Sequence, residues 1–253
     1  MPGRERLRLD GRPARRPQTL RNTNARVAVV CRGNIDCSRR WGLEGKFVCS
    51  YIGTIGMAHG MDVVLKAARI FREQGQAGVK FLLVGDGAQR ERLQVEAQDS
   101  GLDDLVVFTG RLARNEMPQV LANSDACLIH LRGCELFGSV IPSKMFEIMA
   151  MQRPIIMGVR GEACDMVLES GAGIEMEPDS AESLVACINR LLDTPGLTQQ
   201  LGSKAREYVA ENFSRDVLAG RFLTRLESLA GKTVTPPTSS PAAEGSPTRV
   251  THP

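Results

Sequence analysis

Apolar runs and amphipathic stretches alternate along the chain between residues 46 and 230. Short apolar runs such as Lys80–Gly85 and Ala126–Leu131 have the length and composition of buried strands. Stretches such as Met61–Gln74 lie between them and repeat apolar positions every three or four residues, which is the period of an α-helix. This alternation predicts βαβ units, so we expect an α/β fold: a Rossmann-like parallel sheet with helices on both faces.

Each predicted element has its own range. The predicted strands are Phe47–Gly53, Lys80–Gly85, Leu105–Thr109, Ala126–Leu131, Pro154–Val159 and Ile174–Met176. The predicted helices are Met61–Gln74, Gln89–Ser100, Glu116–Asn123, Ser143–Met151, Glu162–Ser170, a helix ending at Leu192, Leu197–Asn212 and Arg215–Leu229. The helix that ends at Leu192 follows the segment Asp179–Glu182, whose sequence is typical of a capping box.

The segments on either side of this alternating region have a different composition. Residues 1–45 are basic and show no periodic pattern apart from the short apolar run Val27–Cys31. Residues 231–253 are rich in proline, threonine, serine and alanine. We therefore predict a largely disordered basic leader over residues 1–45, a folded domain over 46–230 and a disordered tail over 231–253.

The positive charge of the chain is concentrated in the leader. Residues 1–44 contain 11 arginines against four acidic residues, whereas the whole chain carries +3, so the remainder is net negative. A net-negative domain argues against a nucleic-acid-binding core. The leader has the charge to contact nucleic acid or anionic lipid. It lacks interleaved aromatic residues and helical spacing, however, and this favours a disordered segment.

Features that are missing from the sequence bear on where the protein works. No run of about 18 apolar residues occurs, and the N-terminus has no apolar stretch of the kind found in secretory signals. The 7 cysteines form no Cys-x-x-Cys pair, which favours reduced thiols and gives no pattern for a metal site. These features predict a cytoplasmic protein without a metal site.

The loops that follow the strands carry the candidate chemistry, because ligands of parallel α/β sheets bind at the carboxyl ends of the strands. The first such loop contains Gly53, Gly56 and Gly60, which allow backbone N–H groups to approach a ligand closely. The loop leads into a predicted helix, whose N-terminus favours anions. A diphosphate fits this pattern, and an ordinary strand-to-helix turn is the alternative.

A second glycine pair, Gly85-Asp-Gly87, begins like a dinucleotide-binding fingerprint. The pattern stops there, because Arg90 occupies the position of the third glycine. We therefore interpret this segment as a structural turn.

The loop Leu131–Pro142 and the helix after it hold the most distinctive chemistry. Ser143 follows the proline and is the predicted N-cap. Lys144 and Glu147 are three residues apart and so share one helix face. Lys144 can neutralise a phosphate, and the two carboxylate oxygens of Glu147 can accept both hydroxyls of a ribose. From spacing alone, a solvated lysine and an exposed helix acid remain the alternatives.

Five segments occur in an order that is more specific than any one of them. They are Tyr51–Gly56, Leu82–Gly87, Val107–Gly110, Ser124–Ala126 and Ile141–Ile156. Together they resemble the C-terminal domain of retaining family 4 glycosyltransferases of the GT-B fold, and most nearly the bacterial surface-polysaccharide enzymes of the colanic-acid and O-antigen type. The resemblance covers about residues 45–230.

The resemblance implies an enzyme in which this half binds a nucleotide-sugar donor, by analogy a UDP-sugar, and an N-terminal half binds a glycan or lipid-linked acceptor. It implies retention of configuration, with neither metal ion nor cofactor. Glu147 matches the glutamate that holds the donor ribose, and Lys144 and His59 are the candidate catalytic groups at the diphosphate. The other residues carried over are Gly53, Thr54 and Gly56 for the phosphates, Gly110 and Arg111 for the base, and Gly138, Ser139 and Val140 for the sugar and diphosphate.

The chain also departs from the family pattern. Thr54 and His59 stand where many members have an arginine and a lysine, and Ser139 stands where many have a second glutamate. No segment corresponds to the acceptor domain, and Trp41–Lys46 resembles the linker that normally enters this half. We therefore expect a fragment or half-enzyme whose N-terminal domain is missing or separate, with peripheral contact to the inner face of the membrane as a further expectation.

Three other functions stay open. A nucleotide-sugar epimerase of the same architecture would interconvert UDP-sugars without an acceptor, and a non-catalytic subunit would bind the nucleotide sugar beside a partner. A nicotinamide-dependent oxidoreductase needs a complete Gly-x-Gly-x-x-Gly after the first strand, which Gly53–Gly56 does not supply. The ordered segments favour the transferase.

Overall fold

The computed structural model describes residues 35–230, and residues 1–34 and 231–253 of the predicted leader and tail lie outside the described residues. The strands are β1 Phe47–Ile52, β2 Val79–Val84, β3 Val106–Gly110, β4 Ala126–His130, β5 Ile155–Gly158 and β6 Gly173–Glu175. The helices are α1 Ile35–Arg40, α2 Asp62–Glu73, α3 Arg90–Asp99, α4 Met117–Ala122, α5 Lys144–Ala150, α6 Glu162–Glu169, α7 Ala181–Asp193, α8 Leu197–Phe213 and α9 Arg215–Ala230. Short 3-10 turns occur at Met57–His59, Arg114–Glu116 and Glu135–Ser139.

The strands form a sheet in the order β3-β2-β1-β4-β5-β6, and each neighbouring pair is parallel. The predicted α/β Rossmann-like fold is therefore confirmed. The chain moves outward from β1 to β3 and then returns to place β4 on the other side of β1. The loops after β1 and β4 consequently diverge and leave a crevice at the carboxyl ends of the strands, where sheets of this class bind ligands.

Alternate residues of each strand face opposite layers of helices, as the two-residue period of a strand requires. Tyr51 and Leu83 belong to a core shared with α2, α3 and α7, whereas Ile129 and Met157 belong to a core shared with α5, α6 and α8. Leu82 points away from its neighbour Leu83 and packs with residues of α1 and α4. Helices thus cover both faces of the sheet, and the loops at the strand ends are left to carry function.

The first described residues pack against the sheet. Trp41 and Leu43 are buried in the same core group as Leu82 and Val84. The Cys37 thiol donates to the side-chain oxygen of Gln119 on α4 at 3.2 Å. The predicted disordered leader includes residues 35–45, because their apolar positions are too few to show a period. In the structure they cover the sheet beside β1 and β2.

Two predicted helix starts are corrected. Ser143 has helical backbone angles and its side chain caps no N–H group, so α5 begins without a serine cap. The N-cap of α7 is Ser180, whose Oγ accepts a hydrogen bond from the Ser183 amide at 3.1 Å, one residue later than the start of the predicted capping box. Asp179 instead has a positive φ of 61°, and its carboxylate accepts a hydrogen bond from the Gly133 amide.

The segment Ser124–Ala126, which contributes to the family resemblance, serves the fold. The Ser124 hydroxyl lies 2.6 Å from the Ser50 hydroxyl inside the core. The carboxylate of Asp125 accepts a hydrogen bond from the Val48 amide at 2.9 Å. These contacts join the turn before β4 to β1, so this segment aligns the two strands between which the sheet reverses direction.

The last described helix belongs to a separate part of the chain. Residues up to Ser214 form one compact unit and α9 belongs to a second. The exposed apolar residues of α9 include Leu218, Phe222, Leu226 and Leu229. Across residues 35–230, no helix has both the length and the apolar character needed to cross a bilayer.

Candidate functional site

A cleft of about 660 Å³ opens at the carboxyl ends of β1, β2 and β3. Gly53, Thr54 and Arg111 of the predicted binding residues line this cleft. Its other lining residues are the apolar Ile52, Val84, Leu112 and Met117 and the turn residues Gly85, Asp86 and Gly87. The cleft therefore offers an apolar wall flanked by a guanidinium group and by a glycine-rich edge.

The turn Gly85–Gly87 packs directly against the first glycine loop. The Ile55 amide donates to the carbonyl oxygen of Asp86 at 2.9 Å. A Cβ at Gly85 would lie 1.9 Å from the carbonyl oxygen of Gly53, so the backbones approach more closely than any side chain permits. The Gly85 amide donates to the carbonyl oxygen of Gly110 at 3.0 Å, so Gly110 supports this turn beside Arg111. These contacts bear out the interpretation of Gly85–Gly87 as a structural turn.

Only some amides of the first glycine loop are available to a ligand. The Gly53 amide donates to the carbonyl oxygen of Val84 at 2.9 Å, so it is not the phosphate donor that the glycine pattern indicates. The amides of Thr54 and Gly56 have no backbone acceptor among the residues that the structure describes. Because backbone N–H groups are strong donors that seek partners, the amides of Thr54 and Gly56 are the ones among the predicted binding residues of this loop that remain available to an anion.

Lys144 brings a positive charge to the glycine loop. Its Nζ lies 4.2 Å from the centre of the Tyr51 ring, and it sits beside Gly53, where a Cβ would be 3.0 Å away. The Tyr51 hydroxyl donates to the carbonyl oxygen of Thr54 at 2.7 Å and so holds the ring in place. Burial lowers the pKa of Lys144 to about 8, because the charged form loses hydration. Among the described side chains, no carboxylate offsets this loss.

His59 lies beside Tyr51 and Lys144. Its ring centre is 6.1 Å from that of Tyr51, and its Nδ1 is buried without a hydrogen-bond partner among the described residues. Burial, and then the neighbouring Lys144 cation, lower the pKa of His59. The imidazole is therefore neutral at pH 7, and His59 can offer a ligand one hydrogen bond but no positive charge.

The remaining predicted residues lie after β4. Glu147 is exposed and lies one turn along α5 from Lys144. Gly138 packs its carbonyl oxygen against the next loop, and the Val140 amide donates to the carbonyl oxygen of Phe137 at 3.1 Å. Gly138, Ser139 and Val140 do not line the cleft. The structure thus brings Lys144, His59 and the glycine loop together and leaves Ser139 and Val140 exposed.

The predicted anion site at a helix N-terminus after the glycine loop is not formed. The 3-10 turn Met57–His59 separates the loop from α2, and the first turn of α2 carries Asp62. The Asp62 carboxylate pairs with Arg92 and with Arg132, whose Nη2 is 2.6 Å from Oδ2. A carboxylate of the protein therefore occupies the place that the pattern assigns to a phosphate.

Two residues outside the predicted site hold the glycine loop from the β4 side. The Nδ1 of His130 lies 2.7 Å from the carbonyl oxygen of His59, and the Nε of Arg132 donates to the carbonyl oxygen of Met57 at 2.9 Å. The signal that could have found them is a polar residue at the carboxyl end of an otherwise apolar strand.

Five of the six described cysteines behave as core residues. Cys37, Cys49, Cys127, Cys164 and Cys187 are buried, and Cys134 is exposed. Burial raises the pKa of Cys127, which makes its thiolate unfavourable. Within residues 35–230, no three His, Cys, Asp or Glu side chains are grouped to hold a metal ion, and the expected independence from metals and cofactors stays a prediction.

A doubly wound parallel sheet, with a glycine loop and a lysine meeting where the strand order reverses, defines a Rossmann-like α/β domain. The family model described as glycosyl transferases group 1 matches residues 38–208. The chain therefore belongs to the glycosyl transferases group 1 family.

Individual relatives agree with the family. The 2-deoxystreptamine glucosyltransferase of Streptomyces kanamyceticus is 30% identical over 196 residues, which cover 77% of this chain and 49% of that protein. The crystal structure of Anabaena Alr3699/HepE in complex with UDP matches with a TM-score of 0.66 at 20% identity, covering 76% of this chain and 52% of that chain. The C-terminal domain of a glycosyl transferase group 1 family protein (LpcC) from Francisella tularensis matches with a TM-score of 0.58 at 19% identity, covering 70% of this chain and 93% of that chain.

This chain corresponds to only part of each of these relatives. The chain spans about half the length of the curated relatives it matches, such as 49% of the Streptomyces enzyme. The GT-B neighbours share the fold, and the family and its relatives are transferases, so the comparisons do not favour the epimerase or the non-catalytic subunit.

Proposed function

We propose that this chain is the donor-binding half of a retaining glycosyltransferase that uses a nucleotide sugar, with a UDP-sugar as the first candidate. The observation that carries the proposal is the largely buried ammonium group of Lys144 beside Gly53, with no carboxylate partner among the described side chains. Burial of a cation is costly without a compensating anion, and a diphosphate supplies one. The Anabaena neighbour is a complex with UDP, which supports UDP as the nucleotide.

The groups around Lys144 suit the leaving group of the reaction. During transfer, the bond between the sugar carbon and the diphosphate oxygen breaks, and the electron pair stays with the diphosphate. Lys144 and the amides of Thr54 and Gly56 then stabilise the added negative charge. His59, as a neutral imidazole, adds one hydrogen bond. Retention of configuration and independence from a metal ion are part of the proposal and rest on the family resemblance.

We assign the base to the cleft and the ribose to Glu147 on α5, which is not one of the residues that line the cleft. The apolar wall of the cleft suits the face of a base, and the Arg111 guanidinium at its rim suits the polar edge. Glu147 is exposed one turn from Lys144, and its carboxylate can accept hydrogen bonds from both ribose hydroxyls. In this assignment the phosphates bind beside Lys144 and Gly53, and the ribose binds one helical turn further along α5.

The acceptor is assigned to a second domain. Because the chain spans about half the length of its relatives, we propose that a glycan or lipid-linked acceptor binds to a domain other than the one formed by residues 35–230. Peripheral contact of the assembled enzyme with the inner face of the membrane belongs to the same proposal. The described domain then binds the donor, and transfer of the sugar requires the acceptor domain as well.

Titration calorimetry tests the donor assignment directly. The 253-residue chain is titrated with UDP, UDP-glucose and, as a control of similar charge, inorganic pyrophosphate. We expect one site per chain for UDP and UDP-glucose and at least about tenfold weaker binding of pyrophosphate, because the base and ribose contacts are lost. The absence of UDP and UDP-glucose binding at millimolar concentration would overturn the proposal.

Replacing Glu147 with alanine should remove recognition of the ribose. Hydrogen bonds to a charged group contribute about 1.5–3 kcal/mol, so we expect Glu147→Ala to weaken UDP binding by about tenfold or more. The unaltered protein should prefer UDP over 2′-deoxy-UDP, and the variant should bind both equally. Calorimetric titration of both nucleotides measures this difference.

The matched control is Glu91→Ala, which removes an exposed acid from the first turn of α3. It should leave the affinity and the ribose preference unchanged. An unaltered preference for UDP in Glu147→Ala would show that this carboxylate does not contact the ribose.

A further inference from the structure

His130, the last residue of β4, has only 1% of its surface exposed. The Asp179 amide donates to Nε2 at 2.9 Å, so Nε2 carries no proton. Nδ1 lies 2.7 Å from the carbonyl oxygen of His59, which can only accept, so the ring proton is on Nδ1. A single neutral tautomer satisfies both bonds. Burial lowers the pKa of His130 and keeps the ring in this neutral form.

The imidazole ring lies in a slot between two glycines. A Cβ at Gly158 would lie 2.6 Å from Cδ2 of the ring, and a Cβ at Gly60 would lie 3.0 Å from Cε1. The other residues of β4 are the apolar side chains Ala126, Cys127, Leu128 and Ile129. A residue that only filled this core would be apolar as well, so the directional bonds of His130 need another explanation.

Three consecutive carbonyl groups of the glycine loop are tied to the end of β4. His130 binds the carbonyl of His59, and the backbone amide and Nε of Arg132 donate to the carbonyls of Ala58 and Met57, both at 2.9 Å. Asp179 closes the arrangement, since its amide donates to His130 and its carboxylate accepts from the Gly133 amide at 2.8 Å. The 3-10 turn is therefore fixed from the β4 side of the crevice.

We infer that His130 is a positioning residue for the donor. Its imidazole holds the turn Met57–His59, and through it the amides of Thr54 and Gly56 and the ring of His59, in the arrangement that receives the diphosphate. This inference rests on the proposed function. His130 itself is buried behind the loop and does not contact the donor.

Two substitutions at His130 separate positioning from packing. His130→Asn keeps a side-chain N–H near the position of Nδ1, whereas His130→Leu keeps bulk and loses both hydrogen bonds. We expect His130→Leu to weaken UDP binding by at least about tenfold, and His130→Asn to stay within about threefold of the unaltered protein. Calorimetry gives the affinities, and thermal unfolding followed by circular dichroism gives the melting temperatures.

Leu102→Ala provides a control for general destabilisation. Leu102 is buried and precedes β3, at the end of the sheet opposite the cleft. It should lower the melting temperature and leave UDP affinity unchanged. If the loss of UDP affinity is proportional to the fall in melting temperature across all three variants, His130 serves only packing and the inference is overturned.

A nuclear magnetic resonance measurement is independent of ligand binding. Two-bond proton–nitrogen spectra of the free protein should show one imidazole with its proton on Nδ1, and its signals should be lost in His130→Asn. A proton on Nε2 of this ring would contradict the inference.

If the unaltered protein binds UDP and His130→Leu binds it equally well, the inference alone fails. If the unaltered protein does not bind UDP, the proposed function fails and the inference fails with it.

Discussion

Replacing Lys144 with methionine is expected to weaken UDP-glucose binding by about 30- to 100-fold and to leave the domain folded. The ammonium group lies beside Gly53 of the glycine loop, and charge-assisted hydrogen bonds to phosphate contribute about 1.5–3 kcal/mol each. Methionine fills a similar volume without charge. Because a largely buried cation without a carboxylate partner is costly, the free energy of unfolding should be unchanged or higher by about 1 kcal/mol.

Calorimetry and urea denaturation measure the two effects separately. Lys66→Met is the matched control, since Lys66 is exposed on α2 and faces solvent. It should change neither quantity. Wild-type affinity in Lys144→Met would show that this lysine does not bind the diphosphate, whatever the effect on stability.

The same lysine predicts a dependence of binding on pH. With a pKa of about 8 in the free protein, Lys144 is mostly protonated at pH 7 and becomes mostly neutral above pH 8. A bound diphosphate favours the charged form and raises the pKa. Affinity for UDP-glucose should therefore be constant near pH 7 and fall above about pH 8, approaching tenfold per pH unit. Lys144→Met should lose this dependence, and its persistence would assign the titration to another group.

Gly85→Ala is expected to be the most destabilising substitution near the site. The new Cβ would lie 1.9 Å from the carbonyl oxygen of Gly53, and the φ of 140° at this position is one that side-chain-bearing residues rarely adopt. Backbone must therefore move against backbone, and we expect a loss of about 3–4 kcal/mol, which lowers the melting temperature of a domain of this size by about 10 °C. Displacement of the glycine loop should also weaken UDP binding.

Gly78→Ala is the matched control for this effect. Its Cβ would meet no atom within 4 Å, and its φ lies outside the left-handed range. Its free energy of unfolding should stay within about 0.5 kcal/mol of the unaltered protein. Equal stability of the Gly85 and Gly78 variants, measured by urea denaturation, would contradict the close packing of the two glycine turns.

The helices and strands of residues 46–230 were predictable to within one residue at their ends, because each carries its own period and its own terminating residues. The helix over residues 35–40 was not, since Trp41 and Cys37 become apolar contacts only when β1 and β2 lie beneath them. A short segment without a period gives no local signal, and its order comes from partners that are distant in the sequence.

The site divides in the same way. Glycines after the first strand, and a lysine and an acid after the fourth, indicated where a diphosphate and a ribose can bind. The sequence could not show that the Gly53 amide is used by Val84, or that Asp62 occupies the start of α2. These outcomes depend on which loops pack together across the sheet. The role of His130 was not predictable either, because its hydrogen-bond partners are 49 and 71 residues away in the sequence.

On the proposed function, binding of the donor at Lys144 connects the supply of nucleotide sugar to the lifetime of the protein. A ligand that binds only the folded chain stabilises it by about 2.7 kcal/mol at one hundred times its dissociation constant. Proteases act on the small unfolded population, so a cell rich in donor would degrade this chain more slowly than a starved one. The supply of donor would in this way raise the amount of the protein.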